Sequence, residues 1–254
     1  MLQAQTQGLP IVRVTVTRAD ATLTYVKDDK TVTLDWEGGD VVPVDSGITY
    51  VDQTPFDPAD FDLGDVGALF SQASAVAGSH SNQELQINEY NQGKVLMTVT
   101  TSPESQTIFF RPDATMIDAV SLTTTAGVAE ALADTTGDGA EVVQIGADAT
   151  SFWADVRVSQ TQIEHRVRPA KLPSYTVVRN ASTKQEAFSP TQVQPAVLAR
   201  LLATLPAQLG SPNSTVSMVM DMRDGLAYPT MRFTVGLTTV VYSPSGVDIT
   251  KQVH

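Results

Sequence analysis

The sequence predicts an α+β fold made of two tandem duplicated units, each an antiparallel sheet with one packed helix, related by pseudo-twofold symmetry. Three observations lead to this prediction. The 254 residues include 31 valines and 31 threonines, and β-branched side chains favour strands. Short alternating patterns surround one helical pattern, and this order occurs twice. Similar segments also recur at a nearly constant spacing, which is typical of an internal duplication.

The duplication rests on short segments of the first half that recur in the second. The main pairs are Ala19–Thr22 with Ala147–Thr150, Ile48–Val51 with Tyr175–Val178, and Phe56–Pro58 with Phe188–Pro190. Their offsets are 128, 127 and 132, so we expect a short insertion in the second copy. The predicted organisation is a first repeat over residues 1–118, a linker with a short helix over 119–140, and a second repeat over 141–254.

The first copy begins with four predicted strands. Alternating apolar and polar residues place them at Ile11–Thr17, Leu23–Val26, Thr31–Trp36 and Ile48–Asp52. Asp28 and Asp29 form the turn between the second and third strands.

A change to helical spacing follows these strands. Val66, Leu69, Phe70, Ala73 and Ala77 form one apolar stripe. Asp62 is the predicted N-cap of this helix, and Gly78 is its predicted end. The second copy has the stripe Leu198, Leu201, Leu202, Leu205 and Leu209, with Pro195 at the first helical position.

A three-stranded meander closes each copy. The predicted strands are Glu84–Tyr90, Val95–Thr101 and Gln106–Arg111 in the first copy, and Thr215–Met222, Thr230–Val235 and Thr238–Ser243 in the second.

This order of elements resembles the PepSY-type and secreted-inhibitor-like envelope modules. The excess of Arg over Lys, 10 to 6, and the abundance of Thr, Ser, Gln and Asn resemble the composition of extracytoplasmic proteins of high-GC Gram-positive bacteria, including actinobacteria. The resemblance implies an extracytoplasmic protein, membrane-anchored through an N-terminal segment that this sequence does not contain.

The charge is divided unevenly along the chain. The net charge is −12, which argues against a surface that neutralises nucleic-acid phosphates. Residues 128–148 contain five acids and no base, whereas Arg157, Arg166, Arg168, Lys171 and Arg179 follow closely. These cations either attract the acidic first copy across the interface between the two copies or form a surface for an anionic ligand or lipid headgroup. Arg157, Arg166, Arg168 and Lys171 are therefore candidate binding residues.

Methionines concentrate on one strand of the second copy. Met218, Met220 and Met222 share a strand face, and Met231 lies on the next strand. Thioether side chains either fill a core or line an adaptable apolar groove for an acyl chain or a partner. Both interpretations stay open, and the four methionines are candidate ligand-binding or partner-binding residues.

Few residues could carry catalysis or hold a metal. The chain has no cysteine and three histidines, and no phosphate-binding or hydrolase motif. Asp57, Asp60 and Asp62 are weak candidates for a cation site, although carboxylates also gather near helix N-termini for electrostatic reasons. We therefore expect no enzyme activity, no cofactor and no dedicated metal.

The sequence predicts a non-enzymatic accessory or adaptor domain of a bacterial cell envelope. The expected partner is a membrane protein or an envelope lipid, with no nucleic acid, and the chain is expected to be a monomer. The alternatives are a carrier or sensor of a lipid or other amphiphile, such as a helper in envelope glycolipid transport, and a secreted protein inhibitor.

Overall fold

The computed structural model describes residues 2–45, 52–101, 106–137, 140–181 and 185–253. The chain divides into two compact units, unit 1 (Met1–Asp118) and unit 2 (Ala119–His254). Within the described ranges each unit contains a seven-stranded antiparallel sheet and a long helix that follows its fourth strand. The α+β fold class with two similar halves is therefore confirmed. The symmetry axis that relates the halves stays a prediction.

The two units have their secondary structure in the same order. Unit 1 contains α1 (Leu2–Gln5), β1 (Ile11–Val16), β2 (Asp20–Lys27), β3 (Lys30–Glu37), β4 (Asp40–Val44), α2 (Val66–Ala77), β5 (Glu84–Asn91), β6 (Lys94–Thr100) and β7 (Thr107–Phe110). Unit 2 contains α3 (Thr125–Thr136), β8 (Val142–Ala147), β9 (Ser151–Ser159), β10 (Gln162–Pro169), β11 (Tyr175–Asn180), α4 (Pro195–Gln208), β12 (Val216–Asp221), β13 (Thr230–Val235) and β14 (Thr238–Tyr242).

The strand order is also the same in both sheets. It is β4-β3-β2-β1-β5-β6-β7 in unit 1 and β11-β10-β9-β8-β12-β13-β14 in unit 2. One row of cross-strand neighbours in unit 1 contains Pro43, Leu34, Leu23, Val14, Ile87, Met97 and Phe110. The equivalent row in unit 2 contains Thr176, Arg166, Ala154, Ile145, Met220, Met231 and Tyr242.

These rows correct part of the alignment made from the sequence. Val14 corresponds to Ile145, an offset of 131, so the match of Ala19–Thr22 with Ala147–Thr150 at 128 is wrong. The counterpart of β11 is β4, and Ile48–Val51 lies outside the described residues. The match of Phe56 with Phe188 is confirmed, because Phe56 bridges to the first residue of β1 and Phe188 to the first residue of β8.

Local turn chemistry explains the hairpins. Asp28 and Asp29 connect β2 to β3 with φ values of 51° and 57°. Aspartate tolerates this left-handed region because its short side chain bonds to nearby backbone groups, and two such residues match the twist of a tight hairpin. The turn that the sequence predicted here is confirmed.

The helix α2 begins three residues later than predicted. Its N-cap is Asp65, whose carboxylate accepts a hydrogen bond from the Ala68 N–H at 2.8 Å. The predicted N-cap, Asp62, instead accepts a bond from the Gly64 N–H at 3.0 Å. The predicted end at Gly78 is confirmed, with φ of 69°.

Each unit has its own apolar core between sheet and helix. In unit 1 the buried side chains of α2, such as Leu69 and Phe70, pack with those of the central strands. In unit 2 the leucine stripe of α4 packs with Ile145 and Phe152 and with residues of β12 and β13. Because burial of apolar area is the main favourable contribution to folding, each sheet is stabilised chiefly by its own helix.

The segment predicted as a linker contributes a second helix to unit 2. Its helix α3 contacts β9, β10 and α4. On β10 it meets Arg166 and Arg168, which stand in the register positions that Leu34 and Trp36 occupy in unit 1. Unit 2 therefore uses ionic contacts where unit 1 presents apolar side chains.

Candidate functional site

Two of the four outer strands are covered by their own chain. Beside β7 the Ile117 N–H donates to the Phe109 carbonyl at 2.8 Å, and Phe110 bridges to Met116. Beside β14 the Ile249 N–H donates to the Val241 carbonyl at 2.9 Å. These contacts give partners within the chain to backbone groups near the C-terminal end of both strands.

A proline interrupts a third outer strand. Pro43 lies in β4 opposite Leu34 of β3. Proline has no N–H to offer to a further strand, and natural sheets use it to prevent edges from pairing. β4 is therefore poorly suited to accept another strand.

The fourth outer strand, β11, has neither of these protections in the described residues. It contains no proline, and Thr176 occupies the register position of Pro43. Its last four residues are exposed, with Val177 39% and Val178 43% accessible on opposite faces of the sheet. An extended, apolar, exposed edge is a template for another strand. We take β11 as the candidate functional site.

The neighbouring strands hold β11 in place. Val177 lies opposite His165 of β10, and His165 lies opposite Asp155 of β9. The His165 Nδ1 and the Asp155 Oδ1 are 2.7 Å apart, and the His165 ring lies 5.3 Å from the Trp153 ring. A Cβ atom on residue 146 would lie 2.1 Å from the Trp153 ring. The indole can pack there because this residue is glycine.

Three of the four basic candidates from the sequence are neutralised within unit 2. The Arg157 guanidinium lies 3.7 Å from the Glu141 carboxylate and donates to the Gln185 carbonyl at 2.7 Å. Arg166 donates to Glu164 at 2.7 Å, and Arg168, which is completely buried, donates to Asp134 at 2.8 Å.

The described carboxylate partners of these three arginines all lie in unit 2, so the attraction between the two copies stays a prediction. Lys171 is exposed in the loop after β10 and keeps its charge at the surface. The expectation of an anion-binding surface built by Arg157, Arg166 and Arg168 is therefore corrected. Their guanidinium groups are already engaged.

The methionine face packs into the core of unit 2. Met218, Met220 and Met231 are 1%, 0% and 1% exposed, and Met222 is half-buried beside them. They meet the leucines of α4 and the aromatic Phe233. The interpretation of this face as a groove for a ligand or partner is therefore corrected, because side chains of the same unit fill the space.

The aspartates near the start of α2 bond to the local backbone. Asp57 accepts hydrogen bonds from the Ala59 N–H and from the Gln3 side chain, both at 2.9 Å. Asp62 accepts from Gly64, and Asp60 lies in a single 3₁₀ turn that Asp57 caps. Within the described ranges, no three groups of the kind that bind metals come together.

A buried carboxylate lies at the end of β12. The side chain of Asp221 is 3% exposed. It accepts hydrogen bonds from the Arg223 Nε at 2.8 Å and from the Gln144 amide at 3.0 Å. Burial acts to raise the pKa of Asp221, but the bonds from Arg223 and Gln144 outweigh it and leave the pKa lowered.

The lowered pKa predicts how Asp221 stabilises unit 2 as the pH changes. A lowered pKa in the folded state gives a stabilisation that is present above the unfolded pKa of about 3.9 and is lost as pH falls through the folded pKa. Replacing Asp221 by Asn is expected to cost about 2 kcal/mol of unfolding free energy at pH 7, because charge-assisted hydrogen bonds are lost. This cost should shrink below pH ~4.

The measurement is urea denaturation of both proteins between pH 7 and pH 2, followed by Trp153 fluorescence in a Trp36→Phe background. Asp60→Asn, an exposed aspartate, is the matched control. The prediction would be contradicted if the difference in unfolding free energy between the Asp221→Asn variant and its parent stayed constant over the whole pH range.

Comparison with known proteins gives no family for this chain. No family model matches it, and no curated protein matches. The β subunit of DNA polymerase III from Pseudomonas aeruginosa is 10% identical with a TM-score of 0.18, over 92% of this chain and 57% of that one. A sliding clamp from the same organism is 12% identical with a TM-score of 0.15, over 94% and 57%. The chain thus spans little more than half the length of these proteins.

The comparison corrects one prediction. We expected a membrane protein or an envelope lipid as partner, no nucleic acid, and a monomer. The matched structures are instead described as DNA polymerase subunits and clamps, so this prediction is wrong. At such low TM-scores they assign no partner to this chain.

Other predictions are not addressed by these comparisons. The resemblance to PepSY-type modules, the extracytoplasmic location and the absence of enzyme activity stay predictions. Among the described helices, none has the length and apolar character needed to cross a bilayer.

The candidate site uses residues that the sequence did not select. Val177, Val178 and Thr176 belong to a segment that was matched to the wrong part of the first copy. Arg179 was noted among the basic residues, but nothing distinguished it from its neighbours. The available signal was a short β-branched run without proline, Tyr175–Asn180, after the proline at position 173.

Proposed function

We propose that this chain is a non-enzymatic adaptor that binds an extended segment of a partner protein as an added strand on β11. The observation that carries the proposal is the difference between the edges. Pro43 interrupts β4, and segments of the chain itself border the ends of β7 and β14, whereas β11 contains no proline and presents Val177 and Val178 at 39% and 43% exposure. Strand addition uses main-chain hydrogen bonds for affinity and alternate side chains for specificity.

The packing of the methionines does not support the alternative of an amphiphile carrier. A carrier needs an apolar space for its cargo, and Met218, Met220 and Met231 instead contact their own helix and sheet. The alternative of a secreted protein inhibitor stays a prediction. If such an inhibitor binds its target through β11, the experiment below would detect that surface as well.

The test is selection of extended peptides with the full chain. A displayed library of random octapeptides is expected to yield binders that slow amide hydrogen exchange in β11. Val178→Pro is expected to weaken their binding about tenfold, because it removes a backbone donor from the strand. Val178→Thr is the matched control and should bind as the parent does, because it keeps the donor and the branched side chain.

We expect Val178→Pro to fold, because Val178 is an exposed residue of an outer strand. In unit 1 Pro43 lies within the outer strand β4 without breaking the pairing of β4 with β3. Val178→Lys provides a second variant, because a lysine on an edge also disfavours strand addition. Val42→Lys, which alters an equally exposed valine of β4, is its control. The proposal would be overturned by binders that protect residues away from β11, or by binders whose affinity is the same for Val178→Pro and the parent.

A further inference from the structure

We propose that unit 1 binds a second partner segment, in which an acidic residue adjoins a bulky apolar residue. The site is the groove between α2 and the turn from β1 to β2, called here the Arg18 groove, and the carboxylate of the segment contacts Arg18. This inference goes beyond strand addition at β11, because it concerns the other unit and a contact between side chains. The two sites can therefore be tested separately.

The Arg18 side chain is held in place by two neighbours. Its Nη2 donates to the Gln83 Oε1 at 3.0 Å, and its guanidinium lies 6.0 Å from the centre of the Phe70 ring. Gln83 is 4% exposed, and its amide nitrogen donates to the Phe70 carbonyl at 2.6 Å and to the Ser74 hydroxyl at 2.8 Å. Because the guanidinium is already positioned, it loses less conformational freedom when it binds a ligand.

The positive charge of Arg18 is not neutralised within the described part of the chain. Its contacts there are the Gln83 amide oxygen and the Phe70 ring, and neither carries a charge. Arg157 and Arg168 of unit 2, by contrast, each have a carboxylate partner. Arg18 is also exposed, so its guanidinium can still donate paired hydrogen bonds to a carboxylate of another molecule.

Unit 2 builds the same turn without these two side chains. The strand registers place Ala149 at the position of Arg18 and Val216 at the position of Gln83. The first residue of each turn donates a backbone hydrogen bond across it, at 2.9 Å in both units. The turn therefore forms equally with alanine and valine, and the pair of Arg18 and Gln83 is a special feature of unit 1.

The Arg18 groove also provides an apolar surface. It has a volume of about 730 Å³ and is open to solvent. Beside the arginine it is lined by apolar side chains and two hydroxyl groups, those of Val16, Val66, Phe70, Thr17 and Ser71. Asp65 lines it too, but its carboxylate accepts a hydrogen bond from the Ala68 N–H at 2.8 Å and so faces the start of α2. Small-molecule sites bury most of their ligand, so an open groove is better suited to a protein segment.

The charge of unit 1 restricts where an acidic residue can bind. Unit 1 contains 6 basic and 17 acidic residues, so most of its surface repels a carboxylate. Interactions beyond ~8 Å are largely screened at physiological ionic strength, whereas a direct contact between guanidinium and carboxylate is not. Arg18 provides such a contact beside an apolar groove.

The test is selection of displayed random octapeptides with the full chain carrying Val178→Pro, so that β11 does not contribute. The selected peptides are expected to contain Asp or Glu next to Leu, Ile, Val or Phe, and to slow amide hydrogen exchange in the turn from β1 to β2 and at the start of α2. Arg18→Gln should weaken their binding about three- to tenfold, because it removes a charged partner at an exposed position. Lys27→Gln, which removes another exposed positive charge of unit 1, is the matched control and should leave binding unchanged.

A charge reversal provides the second variant. Arg18→Glu should favour the same peptides with Lys in place of the acidic residue. The inference fails if the selected peptides lack acidic residues, if they bind Arg18→Gln as tightly as the parent, or if the selection yields no binders. None of these results affects strand addition, which is tested with β11 intact. Sedimentation of the chain alone gives one more outcome: a dimer that Arg18→Gln dissociates would make a second copy the occupant of the groove and would contradict the inference.

Discussion

Replacement of Arg168 by Met is expected to lower the unfolding free energy of unit 2 by about 3–5 kcal/mol, the usual cost of breaking a buried ion pair by removing one partner. The guanidinium is completely buried. Its Nε donates to Asp134 of α3 at 2.8 Å, and its Nη1 donates to the carbonyls of Pro169 and Leu172. Methionine would fill much of the volume and leave a carboxylate and two carbonyls without this donor.

The measurement is urea denaturation followed by Trp153 fluorescence in the Trp36→Phe background. Arg179→Met is the matched control, because it removes an exposed arginine and should change the free energy by less than about 0.5 kcal/mol. Asp134→Leu added to Arg168→Met should recover part of the loss, since the carboxylate that Arg168 neutralises is then also removed. If Arg168→Met cost less than about 1 kcal/mol, α3 would not be held to β10 as described.

Replacement of Met220 by Ala is expected to cost about 2–5 kcal/mol of unfolding free energy, as removal of a large core side chain does. Met220 is 0% exposed and lies between Ile145 and Met231 in its row. The lost transfer free energy and the cavity both contribute, because a packed core relaxes only in part.

Met222→Ala is the matched control for this prediction. The same atoms are removed from a half-buried position, so the expected cost is at most about half as large. Denaturation of the two variants under identical conditions gives the comparison. If both variants lost the same small amount of unfolding free energy, the methionine face would not be packed. That result would contradict the prediction and favour the groove interpretation.

The local features of the fold could be predicted from the sequence because they depend on neighbouring residues. The apolar stripe of α4 with Pro195 at its start, and the hairpin at Asp28 and Asp29, are of this kind. The duplication itself was predictable, but its register was not. Ala19–Thr22 and Ala147–Thr150 are alike because both contain turn-forming residues, and similar turn chemistry recurs without structural equivalence.

The sites were less predictable because they depend on tertiary pairing. Nothing local indicates that Arg168 is buried while Arg179 is exposed, since both lie on strands of similar composition. The five acidic residues in 128–148 were a usable signal. They precede several arginines, and an arginine that becomes buried needs a carboxylate partner. Which of the four outer strands stays open depends on the position of segments such as Thr115–Ile117, and this is known only once the sheet is assembled.

The strand order has a consequence for how each unit folds. In both sheets the first strand is central, and its two neighbours are contributed by very different parts of the chain. β1 pairs with β2 across a short turn, but it pairs with β5 only after a chain of about 70 residues has returned, and closing a loop of that length is entropically costly. The hairpins from β1 to β4 and from β8 to β11 can form early, whereas the pairing of β1 with β5 and of β8 with β12 comes late. The outer strand β11 is therefore expected to be in place before the rest of its own sheet is complete.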